Sequence, residues 1–154
     1  MNADFVNPFI AGLLNVLETM AQTKLTPGKP KRKQSDIAKG DVSGLIGMVG
    51  PDVRGSMSIT FDESLALTIM ERMVGDRPEK LDAEVGDMVG EVTNMTCGNA
   101  KRDLAERGYE FGMATPIVVS GKQHTISHQV DGAKIILPFM CDEGLAHLEI
   151  CFDK

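Results

Sequence analysis

The chain has 154 residues, 42% of them hydrophobic and 25% charged, which is enough for one domain (residues 1–154) built around a proper core. Its net charge of −6 argues against a general nucleic-acid binder, and no apolar run approaches the roughly 20 residues that span a bilayer, so no membrane segment is expected. No signal peptide is read, and the three cysteines are an odd count, so a reducing, cytoplasmic setting is expected.

Residues 2–23 place Phe5, Phe9, Leu13, Val16, Leu17 and Met20 at helical spacing, which predicts a helix packed by one face. Asn2 supplies a cap; if the helix instead begins at Asn7, Pro8 is its first residue, a position that suits proline. Beyond it, Pro27, Gly28 and Pro30 block a helix. The basic run Lys29, Lys31, Arg32 and Lys33 reads as charge guarding an edge strand. An anion-binding role fits less well, because the domain is acidic and no aromatic residues interleave the charges.

Val42 to Val49 is a predicted strand. Pro51 to Gly55 turns it, and Ser56 to Phe61 returns with Met57, Ile59 and Phe61 on one face, making a hairpin. Gly44 and Gly47 do not form a phosphate loop, since no Gly-Lys-Ser/Thr ending and no strand-to-helix transition follow. They are expected to let a helix or a strand lie close. Asp62-Glu63-Ser64 opens a second helix with acidic residues at its positive end. Leu65, Ile69, Met70 and Met73 form its packed face, and Gly75 ends it.

The stretch from Glu84 to Leu104, running on toward Arg107, is the central predicted helix. At 100° per residue, Val85, Met88, Val89, Val92 and Thr96 fall in an arc about 100° wide that is expected to be buried. Glu84, Asp87, Glu91, Asn94 and Gly98 line up on another side. Asp87 and Glu91 repel each other across one turn, so that side is expected to face water or a partner. Gly98 leaves bare backbone there, at a cost of about 1 kcal/mol, which would let another molecule approach. Asn99 lies beside the buried arc and is expected to be a buried hydrogen-bonding post. Cys97 is read as structural, with no histidine near it in sequence, and Gly108 caps the helix.

Pro116 starts a short strand, Ile117 to Val119. Residues 123–130 are read as a further, more polar strand, with a hairpin at Asp131-Gly132. Lys134 to Met140 and Ala146 to Phe152 complete an antiparallel meander. In such a strand His124 and His128 share a face, but no third ligand stands at a metal-site spacing, so no metal is assigned. Cys141 and Cys151 are within reach of each other only across a hairpin and read as thiols. No nucleophile elbow is present.

Glu91-x-x-Asn94 followed by Gly98-Asn99-Ala100-Lys101 resembles the signature of the CheX/CheC/FliY family of bacterial chemotaxis phosphatases. Asp87 matches the acidic or serine position four residues before the glutamate. Pro116 matches the distal proline, one residue earlier than the commonest spacing. Asp41 to Gly47 resembles the family's first sheet strand, and a single copy of the helix motif resembles the CheX branch rather than the duplicated CheC branch. The resemblance implies an α/β (α+β) CheC-like domain in which an antiparallel sheet is packed against long helices.

It also implies an activity: hydrolysis of the aspartyl phosphate on a response-regulator receiver domain. Asn94 and Glu91 would be catalytic, Asn94 holding the attacking water and Glu91 pairing with the receiver's lysine; Asp87 and Gly98 would contact the partner. This chain would bind no cofactor, the receiver bringing Mg2+. A homodimer is implied as well. The alternatives are a receiver-binding module that does not hydrolyse the phosphate, and a structural homodimer of a signalling or motility assembly.

Overall fold

The computed structural model describes residues 3–51, 54–128, 130 and 132–153, with the backbone alone at 153. The Asn2 cap, part of the Pro51–Gly55 turn and the Asp131 turn position fall outside these residues.

Helix α1 spans Ala3–Ala21 and buries Phe5, Phe9, Leu13, Val16 and Leu17, the stripe its spacing predicts. It begins before Asn7, so Pro8 is an interior residue and not the first. A proline there removes the N–H that the carbonyl of Asp4 would accept. Arg107 Nη1, from the far end of the central helix, reaches that carbonyl at 3.5 Å.

Strands β1 (Thr26–Pro27) and β2 (Lys31–Arg32) are short and exposed, and both pair with β7 (Lys134–Cys141) at one sheet edge. Strands β3 (Val42–Val49) and β4 (Arg54–Phe61) form the expected hairpin, with Val42 opposite Phe61 and Val49 opposite Arg54. Helix α2 is Glu63–Val74, closed by Gly75 at φ +92°. Helix α3 is Ala83–Glu106. Strands β5 (Gly112–Met113) and β6 (Ile117–Ser120) both lie on β3, and β8 (Gly144–Asp153) sits between β7 and β4. The order β1-β7-β8-β4-β3-β5 is antiparallel at every pairing. The three helices cover one face, where Met57, Ile59, Phe61, Phe139, Leu148 and Ile150 are fully buried. Burying each such side chain is worth roughly 1.5–3 kcal/mol.

The opposite face corrects two expectations. Residues 123–128 are not a strand; Thr125 makes only an isolated bridge to Ile37. The local alternation that mimics a strand serves another end, because its histidines bind hydroxyls on the sheet. His124 Nε2 lies 2.6 Å from Ser43 Oγ, which contacts Thr60 Oγ1 at 2.6 Å. His128 bridges Ser56 Oγ and Glu149 Oε1. The second correction is Lys33, which is not a solvent guard like Lys29, Lys31 and Arg32. It is buried and donates to Glu149 Oε2 at 2.7 Å. Burial alone would raise the Glu149 carboxyl, but hydrogen bonds from His128 and Lys33 and the lysine's charge hold it below its ordinary value of 4.5.

Cys151 lies opposite Lys134 and Cys141 opposite Gly144, so the two thiols sit at opposite ends of the β7–β8 hairpin and are not joined in a disulfide. Among the described residues no helix is long and apolar enough to cross a membrane.

Candidate functional site

Helix α3 starts on Asp82, whose Oδ1 accepts the Val85 N–H at 2.9 Å. It ends with Gly108 at φ +92° just past the last turn, where the Gly108 N–H donates to Ala105 O and the Tyr109 N–H to Leu104 O. The left-handed backbone there favours glycine, so Gly108 is structural, as its position in the sequence indicates. Val85, Met88, Val89, Val92 and Thr96 are buried, as expected, together with Thr93, Cys97, Ala100 and Leu104. Burial pushes the Cys97 thiol up to about 12, which makes it a poor nucleophile.

Two glycines fix how deeply the helix sits. Gly44 of β3 lies directly under Thr93, and a Cβ at 44 would stand 2.9 Å from the Thr93 Cβ. Gly90 of α3 faces Val118 of β6, where an added Cβ would be 3.3 Å from Cγ2. The helix is therefore drawn down at its middle, and the side chains next to Thr93 are held over a rigid strand.

An open groove of about 490 Å³ runs beside this part of α3. Asp87, Glu91 and Asn94 form one wall, and Ala114, Thr115 and Pro116 form the other. Gly86 and Gly90 make its floor. The fold thus brings Pro116 across from the Glu91–Asn94 pair. Asp87 and Glu91 are exposed and Asn94 is half-buried. Among the described residues none of the three side chains has a hydrogen-bond or ion-pair partner. Gly98 is half-buried one turn further on, outside the groove lining, with nothing within 4 Å of a Cβ placed there.

Asn99 departs from its expected role. It is half-buried, and its Oδ1 accepts from the exposed Arg102. Its Cβ lies 3.4 Å from where a Cβ on Gly12 of α1 would stand. Asn99 therefore fills the α1–α3 seam, while its amide stays near solvent and is not a buried post.

His124 and His128 are engaged by different hydroxyls, Ser43 and Ser56, and are not brought together on one ligating face. Among the described residues no group of three or more His, Cys, Asp or Glu is placed to hold a metal. The Ser56–His128–Glu149 chain has the composition of a hydrolytic triad, but all three residues are buried, Lys33 occupies the acid and the groove does not reach them. It clamps the residue 123–128 segment to the sheet. Its members are distant in sequence, and Lys33, set in a basic run, carries no local sign of its role. The groove floor carried a clearer sequence signal, two glycines four apart inside a helix.

An antiparallel sheet with three helices on one face is an α/β domain, and the solved structures it matches are CheC-like. The sequence model of one family, described as "Chemotaxis phosphatase CheX", matches residues 42–140, and the chain belongs to that family. It is 62% identical to a CheC-like superfamily protein from Shewanella sp. PV-4, with a TM-score of 0.95 over 100% of both chains. It is 63% identical to the chemotaxis protein CheX from Vibrio vulnificus, with a TM-score of 0.93 over 98% of this chain and 100% of that one. A CheX–CheY–BeF3–Mg2+ complex from Borrelia burgdorferi contains a chain 26% identical to this one, with a TM-score of 0.82 over 99% of this chain and 100% of that one.

Proposed function

We propose that this protein accelerates hydrolysis of the aspartyl phosphate on a response-regulator receiver domain. The observation that carries the reading is the Glu91–Asn94 pair, without a partner among the described residues and lining an open groove with Pro116. Membership of the chemotaxis phosphatase family supports it, and so does the Borrelia complex, in which a relative is bound to CheY.

A carboxylate and an amide are weak tools against a stable ester, but an acyl phosphate is already labile. In this reading Asn94 enters the receiver's active site, where its amide has both a donor and an acceptor for one water. The water attacks phosphorus in line, the bond between phosphorus and the aspartyl oxygen breaks, and the receiver's carboxylate leaves with the bond electrons. The water's proton passes to the released phosphate. Glu91 pairs with a lysine of the receiver and fixes the approach. The receiver supplies Mg2+, which spreads the phosphoryl charge. This chain contributes positioning and forms no covalent intermediate.

A homodimer belongs to the same reading. Strand β6 lies on β3 at the margin of the sheet and exposes Ile117 and Val119; large apolar side chains at a strand edge favour pairing with another chain. Light scattering at roughly tens of micromolar, where a functional dimer persists, should report two copies. A receiver substrate also places the reaction in the cytoplasm.

The test is the phosphate lifetime of purified phosphorylated receivers from the same cell, with Mg2+, with and without this protein. At least one lifetime should shorten. If all are unchanged while a receiver still binds, the protein is a non-catalytic receiver-binding module.

A further inference from the structure

The solvent side of α3 extends well beyond the Glu91–Asn94 pair. Asp87, Glu91, Asn94, Gly98, Lys101 and Ala105 follow one another by three or four residues, so they form one stripe along the helix. The groove described above flanks the first half of that stripe. A second groove, of about 440 Å³, flanks the other half, with Lys101 and Ala105 on one wall and Val49, Pro51 and Glu110 on the other. Strand β5 joins the two, since Met113 lines the first and Gly112 the second. Val49 is 66% exposed, an apolar side chain standing on the rim.

We propose that a receiver domain docks along this whole stripe, and that the second groove takes a receiver segment with an acidic side chain against Lys101 and an apolar one against Val49. The inference rests on the receiver-phosphatase reading above and deepens it. Continuity is the first argument: the grooves share β5 and the same helix side, and Gly98 leaves the backbone between them bare. Reach is the second. Lys101 lies about 10 Å along the axis from Asn94, inside the footprint of an ordinary interface of about 800 Å² per partner, which the first groove alone is too small to supply. Charge is the third. The stripe is acidic at Asp87 and Glu91 and basic at Lys101, so a partner basic at its lysine and acidic one segment away meets it in a single orientation. Glu110 repels an acid on the far wall, which places that acid on the helix side.

The experiment titrates a phosphorylated receiver against wild type, Lys101→Glu, Val49→Asp and Lys101→Arg, with single-turnover phosphate release measured on the same samples. Lys101 is half-buried at the surface and Val49 is exposed, and circular dichroism verifies that each variant folds. Lys101→Glu and Val49→Asp should weaken binding by about ten-fold or more, with release at saturation within about two-fold of wild type. Lys101→Arg should bind as wild type does. Unchanged affinity in both disruptive variants, or slower release at unchanged affinity, overturns the proposal. If wild type binds the receiver without releasing phosphate, hydrolysis is lost as a function, but the titration still decides the docking track. If wild type binds no receiver, both readings fall.

Discussion

Gly44 and Thr93 are pressed together so closely that no methyl group fits between β3 and α3. Thr93 also donates its hydroxyl to the Val89 carbonyl at 2.7 Å, which fixes its rotamer and leaves it unable to swing aside. Because Asn94 is the next residue, the contact that seats the helix also sets the height of the site. Gly44→Ala should therefore cost about 1–3 kcal/mol through overpacking and should slow phosphate release at the same time. Gly47→Ala, on the same strand with only the Ala114 Cβ at 3.9 Å, is the control and should change stability by no more than about 0.5 kcal/mol. Urea unfolding and single-turnover assays on both variants check the pair of effects.

Asn94→Ala should leave the unfolding curve nearly unchanged, since the side chain lies off the buried arc and has no partner among the described residues. It should lower phosphate release by about 10²-fold, the scale set by losing one positioning group. Glu91→Ala should weaken receiver docking and also slow release. Equal acceleration by wild type and Asn94→Ala would remove Asn94 from the role of water holder.

Gly98→Ala separates stability from function. Nothing lies within 4 Å of the added methyl, and alanine is the better helix former by about 1 kcal/mol. The variant should unfold at higher denaturant yet bind the receiver less tightly, because the bare backbone is covered. A variant that is more stable and binds unchanged would show that the partner does not approach at Gly98.

The Lys33–Glu149–His128 cluster makes the fold acid-sensitive. The Glu149 carboxyl is depressed in the folded state, so its contribution is fully present above the ordinary carboxylate value of 4.5 and is lost as pH falls through the lower folded value. Burial also lowers the His147 imidazole from its ordinary 6.5, so stability begins to fall below that pH, before the carboxylate contributes. Glu149→Gln should remove the lower limb of the pH dependence and, by leaving Lys33 buried without its counter-charge, cost about 3–5 kcal/mol at neutral pH. Denaturant midpoints measured from pH 7 down to about pH 3 decide both points.

The helices and the two hairpins were legible in the sequence because each carries its own periodicity. Val85, Met88, Val89 and Val92 announce their shared face without help from the rest of the chain, as do Met57, Ile59 and Phe61. The segment 123–128 was misleading for the same reason: it alternates, but its partners Ser43 and Ser56 lie some 70 to 80 residues away, and local pattern cannot register them. Lys33 met the same limit, its partner being 116 residues distant. Asn99 was misplaced by a narrow margin, since a helical wheel gives its angle but not that Gly12 of α1 leaves its amide free to reach Arg102. Of the site, Glu91, Asn94 and Pro116 stood out through family resemblance, and the rest of the facing wall, Ala114 and Thr115, became visible only when β5 and β6 folded back on β3.

Helix α3 answers to two different constraints on its two sides. Its inner residues are locked between α1, β3 and β6, where a change of one methyl group is felt throughout the core. Its outer residues, from Asp87 to Ala105, touch little of their own chain. Substitutions on the outer side therefore carry little folding cost, so the sequence can drift along one edge of a single helix while the scaffold stays still.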